Sequence, residues 1–303
     1  MSNNYWIVDE WLIFKPKFNE ELTYYYGIIN KYKKIIFSNY NNPLIAIETN
    51  NQHEIEHCVN FIKNQFSKEI DLSNNVNLTH LTFGWYFNQK ISLSNNINLT
   101  HLTFGISFNQ EISLSNNINL THLTFGWFFN QKINLLNNIN LTHLTFGFCF
   151  NQEIDLSNNI NLTHLTFGWN FNQEIYLLNN INLTHLTFGK HFNKKINIPL
   201  NITSLNMLQC NNQYIIDNLH NNIKELRIIQ TNLNLDNLPN SIKKLYIDDY
   251  KKELNNLPNS IEYLELNNYK LKIKKIPKNL KIIKCDEEYK YINDFKDYEV
   301  ITY

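Results

Sequence analysis

The apolar positions of this chain follow a period too long for one helix or one strand. In residues 78–98, LTHLTFGWYFNQKISLSNNIN, they are Leu78, Leu81, Phe83, Phe87, Ile91, Leu93 and Ile97. The same pattern returns every 21 residues through six near-identical copies, each with the heptapeptide Leu-Thr-His-Leu-Thr-Phe-Gly. A fixed period of this length predicts stacked coils rather than a closed globule, because one coil holds too few apolar side chains for its own core.

Within each copy the elements follow from spacing. Leu81 and Phe83 are two residues apart, so on a strand they share the buried face, and His80 and Thr82 share the other. The Leu-x-x-Leu-x-Phe spacing matches the strand segment of a leucine-rich repeat, and the period lies in the range of that class. Gly84 and its five equivalents end the strand, where a positive φ or a close backbone approach is expected. The Asn pairs at 74–75, 95–96 and onward suit turns and, in register, amide ladders. The predicted fold is mainly β: a leucine-rich-repeat-like solenoid with one in-register parallel sheet and a small α/β N-terminal cap.

The array outlasts the clean copies. Its first apolar strand position runs Leu78, Leu99, Leu120, Leu141, Leu162, Leu183, Ile202, Ile223, Ile242, Ile261 and Leu280, which makes eleven units. The later ones lose His and Gly and gain proline, as in Leu238-Pro239-Asn240-Ser241-Ile242. Four regions result: residues 1–65, a non-repeating cap or module; 66–197, near-identical repeats; 198–284, divergent repeats of 19–21 residues; and 285–303, a tail. Within the first, residues 52–66 read as a helix, and Lys34–Ser38 with Leu44–Glu48 as a hairpin around Asn41-Asn42-Pro43.

These residues resemble a known family. The run Phe87-Asn88-Gln89-Lys90-Ile91, preceded by Leu-Thr-x-Leu-Thr-Phe-Gly, is similar to the FNIP repeat, and Phe192-Asn193 with Ile198-Pro199 is the nearest approach to its full form. The resemblance covers about residues 66–284. It implies a leucine-rich-repeat relative of the kind found in giant DNA viruses and amoebae, a binding scaffold with no catalytic residues. Some relatives carry an F-box ahead of the repeats, which implies ubiquitin-ligase recruitment; residues 1–65 show no F-box pattern.

Composition changes the picture little. Net charge is zero, so nothing draws the whole chain to nucleic acid or anionic membrane. Asn supplies 56 of 303 residues, with Ala46 the only alanine and Arg227 the only arginine, a bias that AT-rich codons produce. The N-terminus lacks a signal-peptide pattern and no stretch is long and apolar enough to span a bilayer, so a cytoplasmic location is expected, in the host cell if the source is viral. On that reading the Asn-Leu-Thr sequons at Asn77, Asn98 and their equivalents are by-products of the repeat. Cys58, Cys149, Cys210 and Cys285 are scattered and form no zinc pattern.

Candidate chemistry is confined to columns. His80, His101, His122, His143, His164 and His185 would stack, repel one another when charged and titrate low and broadly. Lys90, Glu111, Lys132 and Glu153 alternate in sign, so each lysine is expected to face a glutamate one coil away. The positions after glycine vary, and Trp85, Trp127 and Trp169 recur there at 42 residues, as interface anchors or as packing. Trp6, Trp11 and Phe14 are the residues to test for recruitment by the N-terminal region. The lysine-rich 270–284 lacks arginine and aromatic company and does not suggest nucleic-acid binding. No catalytic, cofactor or metal site is expected. The function read from the sequence is a non-enzymatic, monomeric scaffold binding host proteins through the Trp and His columns. The alternatives are a ubiquitin-ligase adaptor acting through residues 1–65 and an inert structural or virion component.

Overall fold

The computed structural model describes residues 4–15, 18, 22–38 and 71–303. It divides into two compact units, Met1–Leu162 and Thr163–Tyr303. In the first, β1 (Tyr5–Val8) pairs antiparallel with β2 (Trp11–Phe14). From β2 onward all pairing is parallel: β3 (Lys34–Phe37), β4 (His80–Thr82), β5 (His101–Thr103), β6 (His122–Thr124) and β7 (His143–Thr145). The register aligns Trp11, Lys34, His80, His101, His122 and His143 in one column. The second unit holds β8 (His164–Thr166), β9 (His185–Phe188), β10 (Ser204–Leu208), β11 (Glu225–Ile229), β12 (Lys244–Asp248), β13 (Tyr263–Asn267), β14 (Ile282–Cys285) and β15 (Glu299–Thr302). They too are parallel in chain order. A strand follows each of the eleven apolar positions, as a leucine-rich-repeat-like solenoid requires.

The core is a set of columns. Leu78, Leu81, Phe83, Phe87 and Leu93 are buried, and their equivalents recur as buried positions in each near-identical copy. Phe83 and Phe87 stack within a coil at 4.1 Å, and Phe83 stacks on Phe104 of the next coil at 5.3 Å, giving a double phenylalanine spine. The spine starts earlier than the repeats. Phe14 stacks on Phe37 at 5.0 Å and Phe37 on Phe83 at 5.9 Å. The signal was present in Trp-Leu-Ile-Phe and Lys-Ile-Ile-Phe, which share the x-apolar-x-Phe spacing of His-Leu-Thr-Phe. Lys34–Phe37 has parallel partners on both sides, so the expected hairpin has no free edge to form on. Its second arm, 44–48, and the expected helix 52–66 lie outside the described residues.

Two columns tie coil to coil. Asn96 is fully buried and its Nδ2 donates to the carbonyls of Leu72 (3.0 Å) and Asn75 (2.8 Å) in the coil before. Asn117 and Asn138 repeat both bonds. Asparagine suits the position because it supplies two donors to two buried carbonyls that no apolar side chain could satisfy. The glycine column acts by proximity. No glycine has a positive φ. A Cβ at Gly105, Gly126 or Gly147 would lie 2.0–2.1 Å from the carbonyl oxygen of the preceding glycine. Close backbone approach, and not left-handed geometry, excludes every other residue there.

Two sequence expectations need correction. Among the described residues no ion pair joins Lys90, Glu111, Lys132 and Glu153; their side chains are exposed, and the alternation merely keeps like charges off adjacent coils. Ile97 is no core residue: it is 50% exposed, as is Ile118.

Gly126→Ala is expected to destabilise the fold by about 3 kcal/mol, the upper end of an overpacking cost, since backbone must move to admit the methyl. Gly27→Ala, with nothing within 4 Å of the new methyl, should be neutral. Chemical denaturation of both variants checks the contrast; equal effects would contradict the close-approach account.

Candidate interaction surface

The histidine column lies on the half-buried face of the sheet. His80, His101, His122 and His143 stack at ring separations of 4.2, 4.2 and 4.3 Å, nearly coplanar in tilt. In the second unit His164 and His185 stack at 4.1 Å. Trp11 stands edge-on to His80 at 5.8 Å and covers one end of the stack.

The neighbouring threonines decide where the imidazole protons sit. Thr100 Oγ1 donates to Thr79 O at 3.0 Å and lies 2.9 Å from His101 Nδ1. A hydroxyl has one proton, and it goes to the carbonyl, so the hydroxyl must accept from Nδ1–H. Thr121 with His122, and Thr142 with His143, repeat the arrangement. Neutral rings are therefore Nδ1–H tautomers, with the acceptor lone pair on Nε2. Because the rings are parallel, these lone pairs point side by side and do not converge on one ion. Among the described residues no group of three or more His, Cys, Asp or Glu is placed to hold a metal.

Burial, first, and the Lys34 ammonium, second, lower the His80 pKa from 6.5 to about 4. His101 is lowered to about 4 by burial and then by His80 and His143. Repulsion along the stack, the cause expected from the sequence, thus ranks below desolvation.

The sequon residues are engaged too. Asn98, Asn119 and Asn140 each donate Nδ2 to a carbonyl of the preceding coil at 2.9–3.0 Å. The atom a glycan would occupy is a rung of the ladder.

Past the glycine, the variable column of the first unit reads Trp85, Ile106, Trp127 and Phe148. Its backbone continues the ladder: Ser107 N to Trp85 O at 2.7 Å, Phe128 N to Ile106 O at 2.9 Å and Cys149 N to Trp127 O at 2.8 Å. Trp127 is 37% exposed, stacks on Phe148 at 4.4 Å and neighbours the half-exposed Phe128. In the second unit the Lys190 ammonium sits 4.9 Å from the centre of the Trp169 ring.

Sequence reasoning overlooked a second surface. On the outward face of β11–β15 the uniform His and Thr columns give way to mixed groups. Arg227 stacks on Tyr246 at 4.2 Å. Tyr263 and Tyr303 hydroxyls donate to Glu265 at 2.7 and 2.6 Å, with Lys284 at 3.8 Å. Burial pushes the Tyr263 phenol up, and Tyr303 and Tyr263 help hold the Glu265 carboxyl down. Beside them Glu262 receives Lys243 at 2.7 Å and Lys281 at 2.5 Å. The residues were visible in the sequence, but aligning them needs the 19-residue steps.

The N-terminal aromatics are less available than expected. Phe14 is fully buried among Tyr5, Phe18, Tyr25 and Phe37. Trp6 and Trp11 pack against Ile13 and Ile36.

A histidine whose pKa is depressed on folding binds fewer protons in the native state. The fold is therefore most favoured above the unfolded value of 6.5 and loses stability as pH falls from 6.5 towards about 4. Denaturation between these limits should show that slope, and His101→Gln should flatten it. An unchanged slope in the variant would contradict the assignment.

Similarity to known proteins agrees with this architecture. The FNIP Repeat family model matches residues 230–269. CroV588, a giant-virus protein solved as a novel circular leucine-rich-repeat structure, is 28% identical, with a TM-score of 0.56 over 95% of this chain and 51% of its own. The chain thus spans about half the length of that protein. The internalin InlF of Listeria monocytogenes is 20% identical, with a TM-score of 0.50 and 77% of each chain covered, a likeness of fold alone. No curated protein sequence matches. The match falls on the divergent copies with Leu-Pro-Asn-Ser-Ile, not on the near-identical copies that first suggest the family. Residues 230–269 therefore match the FNIP Repeat model within a leucine-rich-repeat-like solenoid.

Proposed function

We propose that the chain is a non-enzymatic scaffold for protein–protein interaction, acting on host proteins in the cytoplasm. The observation that carries this reading is the aromatic column Trp85, Ile106, Trp127 and Phe148 with Phe128 beside it. It offers exposed tryptophan and phenylalanine on a backbone already fixed by ladder bonds. Rigid aromatic anchors lose little freedom on binding and dominate interface energetics. The column also varies between coils, which a specific surface requires and the histidine column does not offer. The stacked, half-buried histidines form the second part of the candidate surface, and Trp169 extends the aromatic signal into the second unit. Stacked repeats are suited to this use because they build extended binding faces. Catalysis is disfavoured physically, since a reaction centre needs unlike groups converging and the ladders present like groups in parallel.

The adaptor reading has less support. Phe14 is buried and Trp11 covers the histidine stack, so both are occupied in closing the core. We read the described part of the N-terminal region as a cap that continues the phenylalanine spine to its end.

The test uses immobilised full-length protein in host lysate. Trp127→Ala/Phe128→Ala should weaken capture of a specific partner at least about tenfold, the scale of an interface hot spot. Its melting temperature should fall modestly, since Trp127 loses its stacking on Phe148, while circular dichroism should report a native fold at the assay temperature. Undiminished capture by the variant would refute the aromatic column as the binding surface.

A further inference from the structure

We infer that the aliphatic ladder on the asparagine turns of the first unit seats a second copy of this chain. Val76, Ile97, Ile118, Ile139 and Ile160 occupy one column and are 45–50% exposed. Among the described residues these are the exposed large aliphatic side chains of that unit's turns, and they recur once per coil, at roughly the 4.8 Å spacing of adjacent strands.

The flanking rows make the ladder flat and stiff. On one side Asn95, Asn116, Asn137 and Asn158 donate Nδ2 to the preceding coil at 3.2–3.3 Å. On the other side Asn98, Asn119, Asn140 and Asn161 do the same at 2.9–3.0 Å. Both rows thus spend a donor proton within the chain. No residue in 73–77, 94–98, 115–119, 136–140 or 157–161 is charged.

Three features select a second copy as the occupant. The face offers no charge to a charged partner, so the match must be apolar and uncharged. A partner engages more than one or two rungs only if its own side chains repeat at the same spacing, which this chain does. Two such ladders related by a twofold axis through the central rung, Ile118, are self-complementary: Ile118 faces its own counterpart, Ile97 faces Ile139 and Val76 faces Ile160. The five side chains expose on the order of 400 Å² of aliphatic surface, about half of the roughly 800 Å² each partner gives a standard interface, and the asparagine rows supply the remainder. This departs from the monomer expected from sequence, which counted the Ile97 column among the recurring apolar positions without an exposed face to place it on.

Analytical ultracentrifugation of the full chain tests it. The wild type should show a monomer–dimer equilibrium in the micromolar range. Ile118→Arg and Ile118→Glu should each weaken self-association at least about tenfold, since like charges would meet at the axis. Mixed one to one, the two variants should form a heterodimer. Circular dichroism should report native folding of both, because the substituted side chain is half in water. If a variant fails to fold, Ile118→Asn, with loss of dimer and retained melting temperature, replaces it. A wild type monomeric throughout, variants that dimerise as it does, or a mixture that stays monomeric would each overturn the proposal. So would a host protein lost from Ile118→Arg while the wild type remains monomeric.

Discussion

Everything else in this molecule depends on one constraint: each coil must sit one strand spacing from the last. In the near-identical copies two residues enforce it, one before and one after each strand. The buried asparagine of each turn reaches back to two carbonyls of the previous coil, as Asn96 does to Leu72 and Asn75. The glycine after each strand lets backbone approach so closely that a single methyl would collide with a carbonyl. The first is an attraction with directional bonds, the second a tolerance for contact. Together they fix distance and register before the phenylalanine spine is considered, and the spine then contributes burial that neither could provide.

The same constraint limits chemistry. A column repeats one group at one spacing and one orientation. The histidines illustrate this: a threonine hydroxyl committed to the backbone fixes each imidazole proton on Nδ1, so the remaining lone pairs run parallel. Burial keeps the stack uncharged more effectively than mutual repulsion does. A uniform column can hold a coil in place, but discrimination needs positions where coils differ. Those lie just past the glycine in the near-identical copies and on the sheet face itself in the later ones.

How much was legible depended on whether a residue's role is set by its own coil. The spacing of Leu81 and Phe83 gives strand and inward face, and the eleven strands stand where the pattern placed them. Phe14 and Phe37 were missed as spine members because neither is followed by the glycine or the asparagine turn that announces a coil. Ile97 recurs as an apolar position yet is half exposed, because hydrophobicity alone does not report which way a turn residue faces. Lys90 and Glu111 alternate in sign, yet sequence cannot show that exposed side chains on adjacent coils fail to meet. The ion pairs that do form, at Glu262 with Lys243 and Lys281, follow the 19-residue steps already legible in Ile223, Ile242, Ile261 and Leu280, but that exposed side chains meet across those steps shows only in the structure.

The divergent copies show what replaces the near-identical rules. In register, Phe188 pairs with Met207, which puts Leu208 in the place of glycine. Strands β10–β13 are five residues long instead of three, and the turn comes one residue later, at Gln209, Gln230, Asp249 and Asn268. All four have φ between 47° and 55°, so the left-handed backbone appears where glycine is absent and not where it is present. Such a conformation costs a non-glycine residue about 1–2 kcal/mol, least for Asn and Asp, and something in the coil must offset it. Gln209 N, Gln230 N and Asp249 N still bond to the next coil at 2.8–2.9 Å, so the left-handed turn leaves the backbone ladder intact. The spine changes in parallel: Tyr250, Tyr269 and Tyr289 are buried and donate hydroxyl bonds to carbonyls of the coil before. Tyrosine thereby combines the apolar filling of the phenylalanine column with the directional tie of the asparagine column. On the sheet face of these coils Arg227, Tyr246, Tyr263 and Glu265 stand where the near-identical copies repeat His and Thr.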